Sequence, residues 1–386
     1  MSIIYFDHAA TTPMRREAIE AYVDAASKGP GNPSSLHAGG RSARSGLTAS
    51  RDTLARILNC DPGEIVFTGG GTESDNAALY GAAHAQRLKT GRDRIVTTAI
   101  EHHAVLHACH KLEAEGFKLT VLPVDETGRV RLSAAEEAIG DDVAVVSVMY
   151  GNNEVGTLQP IAEIGALARE RGAVMHSDAV QAFGYERFDL RQLPVDLLSL
   201  SAHKIGGPQG VGVLYVRKGT PYEPTARGGS QEKSRRAGTE NVAGIAAFAK
   251  AAELAHSSIE ERRREAEEVR AKLLADLTEQ LGEDAVRING AIDPKRRLPH
   301  ILNVSFPGIS NETMLMNLDL SGVAASAGSA CTAGSLQPSH VLIAMGLETH
   351  FYQSAIRFSF GMGNNTAEAE KTAKIIATIT KRLRNR

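Results

Sequence analysis

Cysteine is scarce in this chain: Cys60, Cys109 and Cys331 are the only three in 386 residues. They have no paired spacing, which argues against a disulfide scaffold and for a reducing compartment. An excess of one charge sign is also missing. Lys and Arg number 43 against 45 Asp and Glu, a formal charge of −2. No basic stripe is interleaved with aromatics, so a nucleic-acid partner is not expected. No apolar run reaches the length that spans a bilayer, which excludes a helical membrane anchor. The opening stretch MSIIYFDHAATTPMRREA lacks a basic region leading into a long apolar core. The expected location is cytoplasmic. What remains, at 42% apolar and 23% charged residues, is the composition of a soluble globular protein. Its length suits two domains, or one large domain with a satellite.

From residue 64 to about 216, short β-branched runs alternate with helical patterns. EIVFTGG, RIVTTAI, KLTVLPV, VAVVSVMYGNN, AVMHSDAVQ, DLLSLSAH and GVGVLYV read as seven strands. Helices between them predict an α/β fold with a mainly parallel seven-stranded sheet covered on both faces. Too few residues separate DLLSLSAHK from VGVLYV for a crossover helix, so that pair predicts a hairpin and one antiparallel strand. Beyond about residue 240 comes a long helical stretch, 242–281, whose charged segment EERRREAEEVR reads as a solvated face. The short strands RLPHILNVSF and SAIRFSFG then predict a smaller α+β domain. The expected division is a large domain over 16–250 and a small one over 1–15 and 251–386.

Ligands of open α/β sheets sit beyond the carboxyl ends of strands, and several unusual segments fall there. FTGGGTESDNAAL, residues 67–79, exposes backbone N–H groups at a helix start, and Gly71 and Thr72 would make an anion cradle. Its spacing matches neither the Walker A nor the dinucleotide pattern. A plain glycine-rich turn capped by Thr72 is the competing reading. In HSDAVQAFG, Asp178 ends a buried strand and needs a cationic or N–H partner, which a protonated pyridine nitrogen would provide. A helix-capping aspartate is the alternative. In SLSAHKIGGPQG, Lys204 sits at the mouth of a cleft, where desolvation favours a neutral, nucleophilic amine. Ser201 and His203 add two phosphate donors. One ligand fits all three segments, an aromatic aldehyde with a ring nitrogen and a phosphate: pyridoxal 5′-phosphate.

In IEHHAVLHACH, His102 precedes a helix and could stack on a planar ring, while His107 and His110 read as surface histidines. A zinc site would need a further thiolate or carboxylate in register, as in HExxH, which is absent. Cys331 lies in VAASAGSACTAGSLQPSH, among small residues that suit a reactive thiol rather than a packed one. Arg357, on the apolar strand AIRFSFG, needs an anionic partner: a substrate carboxylate or an internal salt bridge.

The ordered set YFDHAATTP, GNPSSLH, FTGGGTESDN, EHHAV, NNEVG, HSDAVQAFG, SLSAHKIGGPQG, RAGTEN, SAGSACT and IRFSFG resembles the pyridoxal-phosphate-dependent cysteine desulfurases of the class V aminotransferase superfamily. The likeness is to the nitrogen-fixation and iron–sulphur-cluster branch, and it runs from Tyr5 to Gly361. It implies a fold-type I architecture, with the cysteine loop in the small domain. It implies that Lys204 captures the cofactor aldehyde, Asp178 pairs with the ring nitrogen and Gln181 bonds the phenolic oxygen. His102 would stack on the ring and assist proton transfer, and Gly71, Thr72, Ser201 and His203 would hold the phosphate. Thr239 would reach the phosphate of a partner subunit, making a homodimer with shared sites. Asn153, beside the cofactor, and Arg357 would hold the carboxylate of L-cysteine, with Asn32 in a loop near the substrate. Cys331 would accept sulphur as a persulfide and pass it to an acceptor protein such as an iron–sulphur scaffold. Two departures, His8 and the GGG of the phosphate loop, remove no required group.

Overall fold

The computed structural model describes residues 3–328 and 338–384. Strand β1 (Ile4–Tyr5) precedes the main sheet, which is built from β2 (Ile65–Thr68), β3 (Arg94–Thr98), β4 (Lys118–Leu122), β5 (Val143–Ser147), β6 (Val174–Asp178), β7 (Leu197–Ser201) and β8 (Gly212–Val216). Their order is β2-β8-β7-β6-β5-β3-β4. All pairings from β7 to β4 are parallel, and β8 runs antiparallel to both β7 and β2. The seven strands and the one reversed strand are those the apolar runs predict. Every residue of β5, β6 and β7 is buried, as a sheet covered on both faces demands. Strand order reverses between β3 and β5, so the carboxyl ends of the central strands open onto a crevice.

A second sheet follows, with β10 (Ile301–Ser305) between β9 (Arg287–Asn289) and β12 (Ala355–Ser359), all antiparallel; β11 (Val323–Ala324) pairs in parallel with β1. The N-terminal segment is thereby tied to the last third of the chain, and Phe6 meets Phe360 edge-on with ring centroids 5.1 Å apart.

Two expectations need correction. The stretch 242–281 is two helices, Val242–Ser257 and Ile259–Leu281. Ser258 leaves helical geometry, and the hydroxyls of Ser257 and Ser258 both donate to the Leu254 carbonyl, at 3.1 and 2.8 Å. Such local bonds compete with helix continuation. The charge run is also more than a solvated face. Arg270 is buried, Arg262 lies 4.6 Å over the Tyr185 ring, and Glu267 takes Arg297 in a bidentate pair at 2.7 and 2.6 Å. One side of this helix is riveted to the fold by its arginines.

Candidate active site

The crevice holds a cavity of about 320 Å³ lined by Gly71, Thr72, His102, Asn153, Asp178, Gln181, Ser201, His203, Lys204 and Arg357, together with Ala9, Ala10, Asp75, Met149, Val180 and Gly328. Ten residues singled out in the sequence thus converge from six segments. Each arrives for a local reason. Asp178 and Ser201 are the last residues of β6 and β7. Gly70 has φ +149°, open to glycine alone, and the helix Gly71–Thr90 starts directly after it. A Cβ on Gly71 would stand 2.9 Å from Val180 Cγ2, so only glycine lets the helix start come this close to the end of β6. Thr72 is inside the helix rather than its cap; the cap position belongs to Gly70. The helix N-terminus therefore presents N–H groups and the positive end of its dipole to the cavity.

Lys204 is held by the N-terminal segment. Its Nζ donates to the carbonyls of Ala9 and Ala10 at 2.5 and 2.7 Å, and Gln181 Nε2 donates to the same Ala9 carbonyl at 2.9 Å. His203 Nδ1 lies 3.1 Å from the Thr11 hydroxyl, and the Thr12 hydroxyl donates to the His203 carbonyl at 2.6 Å. This is the work of the DHAATTP stretch, whose backbone acceptors carry no side-chain signal. His102 caps the helix His103–Ala114 through Nδ1, which accepts the Ala104 N–H at 3.1 Å. That bond leaves Nε2 as the protonated nitrogen of a neutral ring.

Beneath the cavity lies a buried polar layer that sequence reasoning missed. Asp75 is one helical turn beyond Gly71, a spacing that places both on one face and could have revealed it. Its Oδ1 is 3.6 Å from His176 Nε2, which also meets the Ser199 hydroxyl at 3.0 Å; His176 Nδ1 meets that of Ser147 at 2.8 Å. Asp178 accepts the Val180 N–H at 2.9 Å. Burial raises the carboxyl groups of Asp178 and Asp75, and Asp178 raises Asp75 further. A buried carboxylate in this state is stabilised by a cation. Nearby, Glu101 accepts from the Thr98 hydroxyl at 2.7 Å and the Met149 N–H at 2.9 Å, and burial pushes it up to about 8.

Arg357 is 2% exposed and shared. Its Nη2 donates to Asp7 Oδ1 at 2.8 Å and its Nη1 to the Asn153 carbonyl at 3.0 Å, so the internal salt bridge exists even though the side chain also lines the cavity. Asn32 and Thr239 are exposed and absent from the lining; Asn32 Oδ1 accepts the Ser34 N–H at 2.9 Å. Cys331 lies outside the described residues, whereas Cys60 and Cys109 are buried. His107 and His110 are exposed.

The buried histidines have a definite sign in the pH dependence of the fold. Burial lowers His8, His102 and His203 to about 4 and His176 to about 3. An unfolded histidine protonates near about pH 6.5. Below that point the unfolded chain binds more protons than the fold, so stability present above it is lost as the pH falls towards 4. Glu101 acts oppositely: its contribution fades as the pH rises through about 8. The rings of His8, His102, His176 and His203 should therefore stay neutral down to about pH 5 in the cofactor-free protein, as NMR titration of their ring carbons would show. A ring that protonates near about pH 6.5 would contradict the assignment of neutral buried histidines.

The cavity fits pyridoxal 5′-phosphate on its own evidence. It has one amine, a buried carboxylate seeking a cation, a planar histidine and a glycine-lined helix N-terminus that a single Cβ would fill. Comparison with known proteins agrees. The Aminotransferase class-V family model matches residues 4–371. A protein of Bacillus subtilis (strain 168) is 48% identical over 384 residues, covering 99% of this chain and 100% of its own. The cysteine desulfurase IscS of Methanosarcina thermophila is 44% identical over 382 residues, covering 99% of this chain and 93% of its own. A solved NifS-like protein superposes with a TM-score of 0.90 at 36% identity, covering 98% of this chain and 99% of that one. The chain belongs to the class-V aminotransferase family, in its pyridoxal-phosphate-dependent cysteine desulfurase branch.

Proposed function

We propose that the enzyme converts L-cysteine to L-alanine and leaves the sulphur on Cys331 as a persulfide. The observation that supports this best is the convergence of Lys204, Asp178, His102 and Arg357 on one cavity whose rim includes Gly328, three residues before Cys331. Thr72, Gly71, Ser201 and His203 would hold the cofactor phosphate, Asp178 the ring nitrogen, and Gln181 the phenolic oxygen. When bound, pyridoxal 5′-phosphate supplies an electron sink for the pair released as the substrate Cα loses its proton. Lys204 would be the base for that proton, and His102 would cover the ring and hold a second proton near it. Arg357 and Asn153 orient the substrate carboxylate; Arg357 would do so while keeping Asp7.

The sulphur step balances without an outside oxidant. The Cys331 thiolate attacks the substrate sulphur, an S–S bond forms, and the Cβ–S bond breaks with its electrons going to carbon. The carbon takes a proton to become alanine, so the sulphur is oxidised as the carbon is reduced. Thr239, exposed on its own chain, would complete the phosphate site of a partner subunit in a homodimer. Asn32, exposed and turned into its own loop, would stand near the substrate as part of that loop. The persulfide would then pass to an acceptor protein such as an iron–sulphur scaffold, in the cytoplasm. We keep the division into a large domain over 16–250 and a small one over the rest as part of this reading.

Alanine release from L-cysteine, assayed with and without a thiol reductant, tests the proposal. Multiple turnovers with reductant and about one equivalent without it are expected, since the persulfide must be cleared from each active thiol. Ammonia and pyruvate in place of alanine would overturn it.

A further inference from the structure

Glu154 is a buried acid with no part in the cavity: it is 2% exposed and absent from the lining. Burying a carboxyl group is costly without close partners, and its partners are informative. The Ser339 hydroxyl donates to Glu154 Oε2 at 2.5 Å. On the other side Gly328, at φ +92°, packs so closely that a Cβ there would stand 2.6 Å from the same oxygen. Gly328 and Ser339 are the two described residues nearest the ends of the stretch that carries Cys331, apart from Pro338. One carboxyl group therefore touches both ends.

The backbone on either side of that carboxyl group is held in place. Asn152, fully buried, accepts the N–H groups of Glu154 and Val155 at 2.8 and 2.9 Å, and the Glu154 carbonyl accepts from Asn303 Nδ2 at 3.2 Å. Ser339 also caps the helix His340–Ala344 by accepting the Leu342 N–H at 3.2 Å. The entering end is braced separately, with the Gly328 carbonyl taking Arg357 Nη1 at 3.4 Å and the Gly328 N–H meeting the Ser326 hydroxyl at 3.2 Å. The NNEVG motif thus does two jobs with adjacent residues. Asn153 faces the substrate cavity and Glu154 faces the neck of the cysteine segment.

We propose that Glu154 is a positioning residue for Cys331, fixing the spacing of Gly328 and Ser339 through its hydrogen bond to Ser339 and its packing against Gly328. The inference rests on the reading of Cys331 as the sulphur acceptor. It commits to geometry rather than charge: an amide oxygen at the same place would accept the same hydroxyl.

The test uses the full-length, cofactor-loaded enzyme with Glu154→Ala, Glu154→Gln, Ser339→Ala and Ser339→Thr. Three quantities are read: kcat for alanine, the L-cysteine dissociation constant from the absorbance change of the bound cofactor, and the rate at which iodoacetamide alkylates Cys331 in peptide maps. Misplacing a reacting group by about 1 Å can cost about a hundred-fold, so Glu154→Ala should lower kcat by at least about ten-fold. L-cysteine binding should stay within about two-fold, and the alkylation rate should change by about three-fold or more. Glu154→Gln should restore most of both, and Ser339→Thr should outperform Ser339→Ala, a pair that decides the matter even if Glu154→Ala does not fold. The proposal is overturned if the alanine variants turn over at the parent rate. It is equally overturned if Gln and Thr rescue nothing, or if substrate binding weakens as much as kcat falls. Cys331→Ala assayed in parallel separates the two readings. Full turnover in that variant sinks the persulfide mechanism, while the alkylation rates still report on Glu154.

Discussion

Lys204→Ala should form no alanine from L-cysteine, a loss of at least about a thousand-fold, within the range that removal of a general base produces. The amine is localised by the fold, donating to the Ala9 and Ala10 carbonyls at the cavity wall. Truncating it leaves two backbone carbonyls on the cavity side without this donor, and the rest of the phosphate and ring contacts untouched. The variant should therefore fold and still take up pyridoxal 5′-phosphate through Asp178, Thr72, Ser201 and His203, with its absorption maximum shifted towards that of the free aldehyde. Lys204→Arg should not rescue turnover, because a guanidinium does not deprotonate in a protein and cannot serve as nucleophile or base. Retained activity in either variant would refute the role given to this residue.

Cys331→Ala is expected to be as damaging, about a thousand-fold or more in alanine formation, since the covalent route is lost entirely. The other thiols cannot stand in for it. Cys60 and Cys109 are buried, and burial pushes both thiols up to about 12, with neighbouring carboxylates adding to the effect. Only the thiolate is a competent nucleophile, so near neutrality neither supplies one. Cofactor binding and the spectral change on adding L-cysteine should survive in Cys331→Ala. Rapid-quench measurement of alanine formation, compared with cofactor content, would check this; a rate within a few-fold of the parent would contradict it.

The main sheet was legible because its central strands are buried on both faces, which forces continuous β-branched runs such as VAVVS and LLSLS. The reversed strand was legible from connection length alone. In the site, Lys204, Asp178, Thr72 and Ser201 stand out because strand ends and helix starts place them by rule. What escaped has a physical cause in each instance. The acceptors that hold Lys204 are backbone carbonyls of two alanines, and a carbonyl leaves no mark on residue identity. Asp75 and His176 are buried polar residues whose spacing to Gly71 and Asp178 puts them beside the site, but the same spacing is common in helices and strands with no site at all. Glu154 reads as one acid in a short loop; only the fold brings Ser339 to it across 185 positions. Thr239 and Asn32 face solvent on this chain and lie outside the cavity lining, so the geometry of this chain does not single them out. The helix break at Ser258 turns on hydroxyl-to-carbonyl bonds that a run of good helix formers conceals.

The decisive measurement is a peptide map of the enzyme loaded with pyridoxal 5′-phosphate and reduced with borohydride. The account predicts a phosphopyridoxyl group on Lys204 at near one equivalent per chain, with the label lost from the Lys204→Ala protein. A label on another lysine, or a protein that takes up the cofactor but acquires no label, would contradict it.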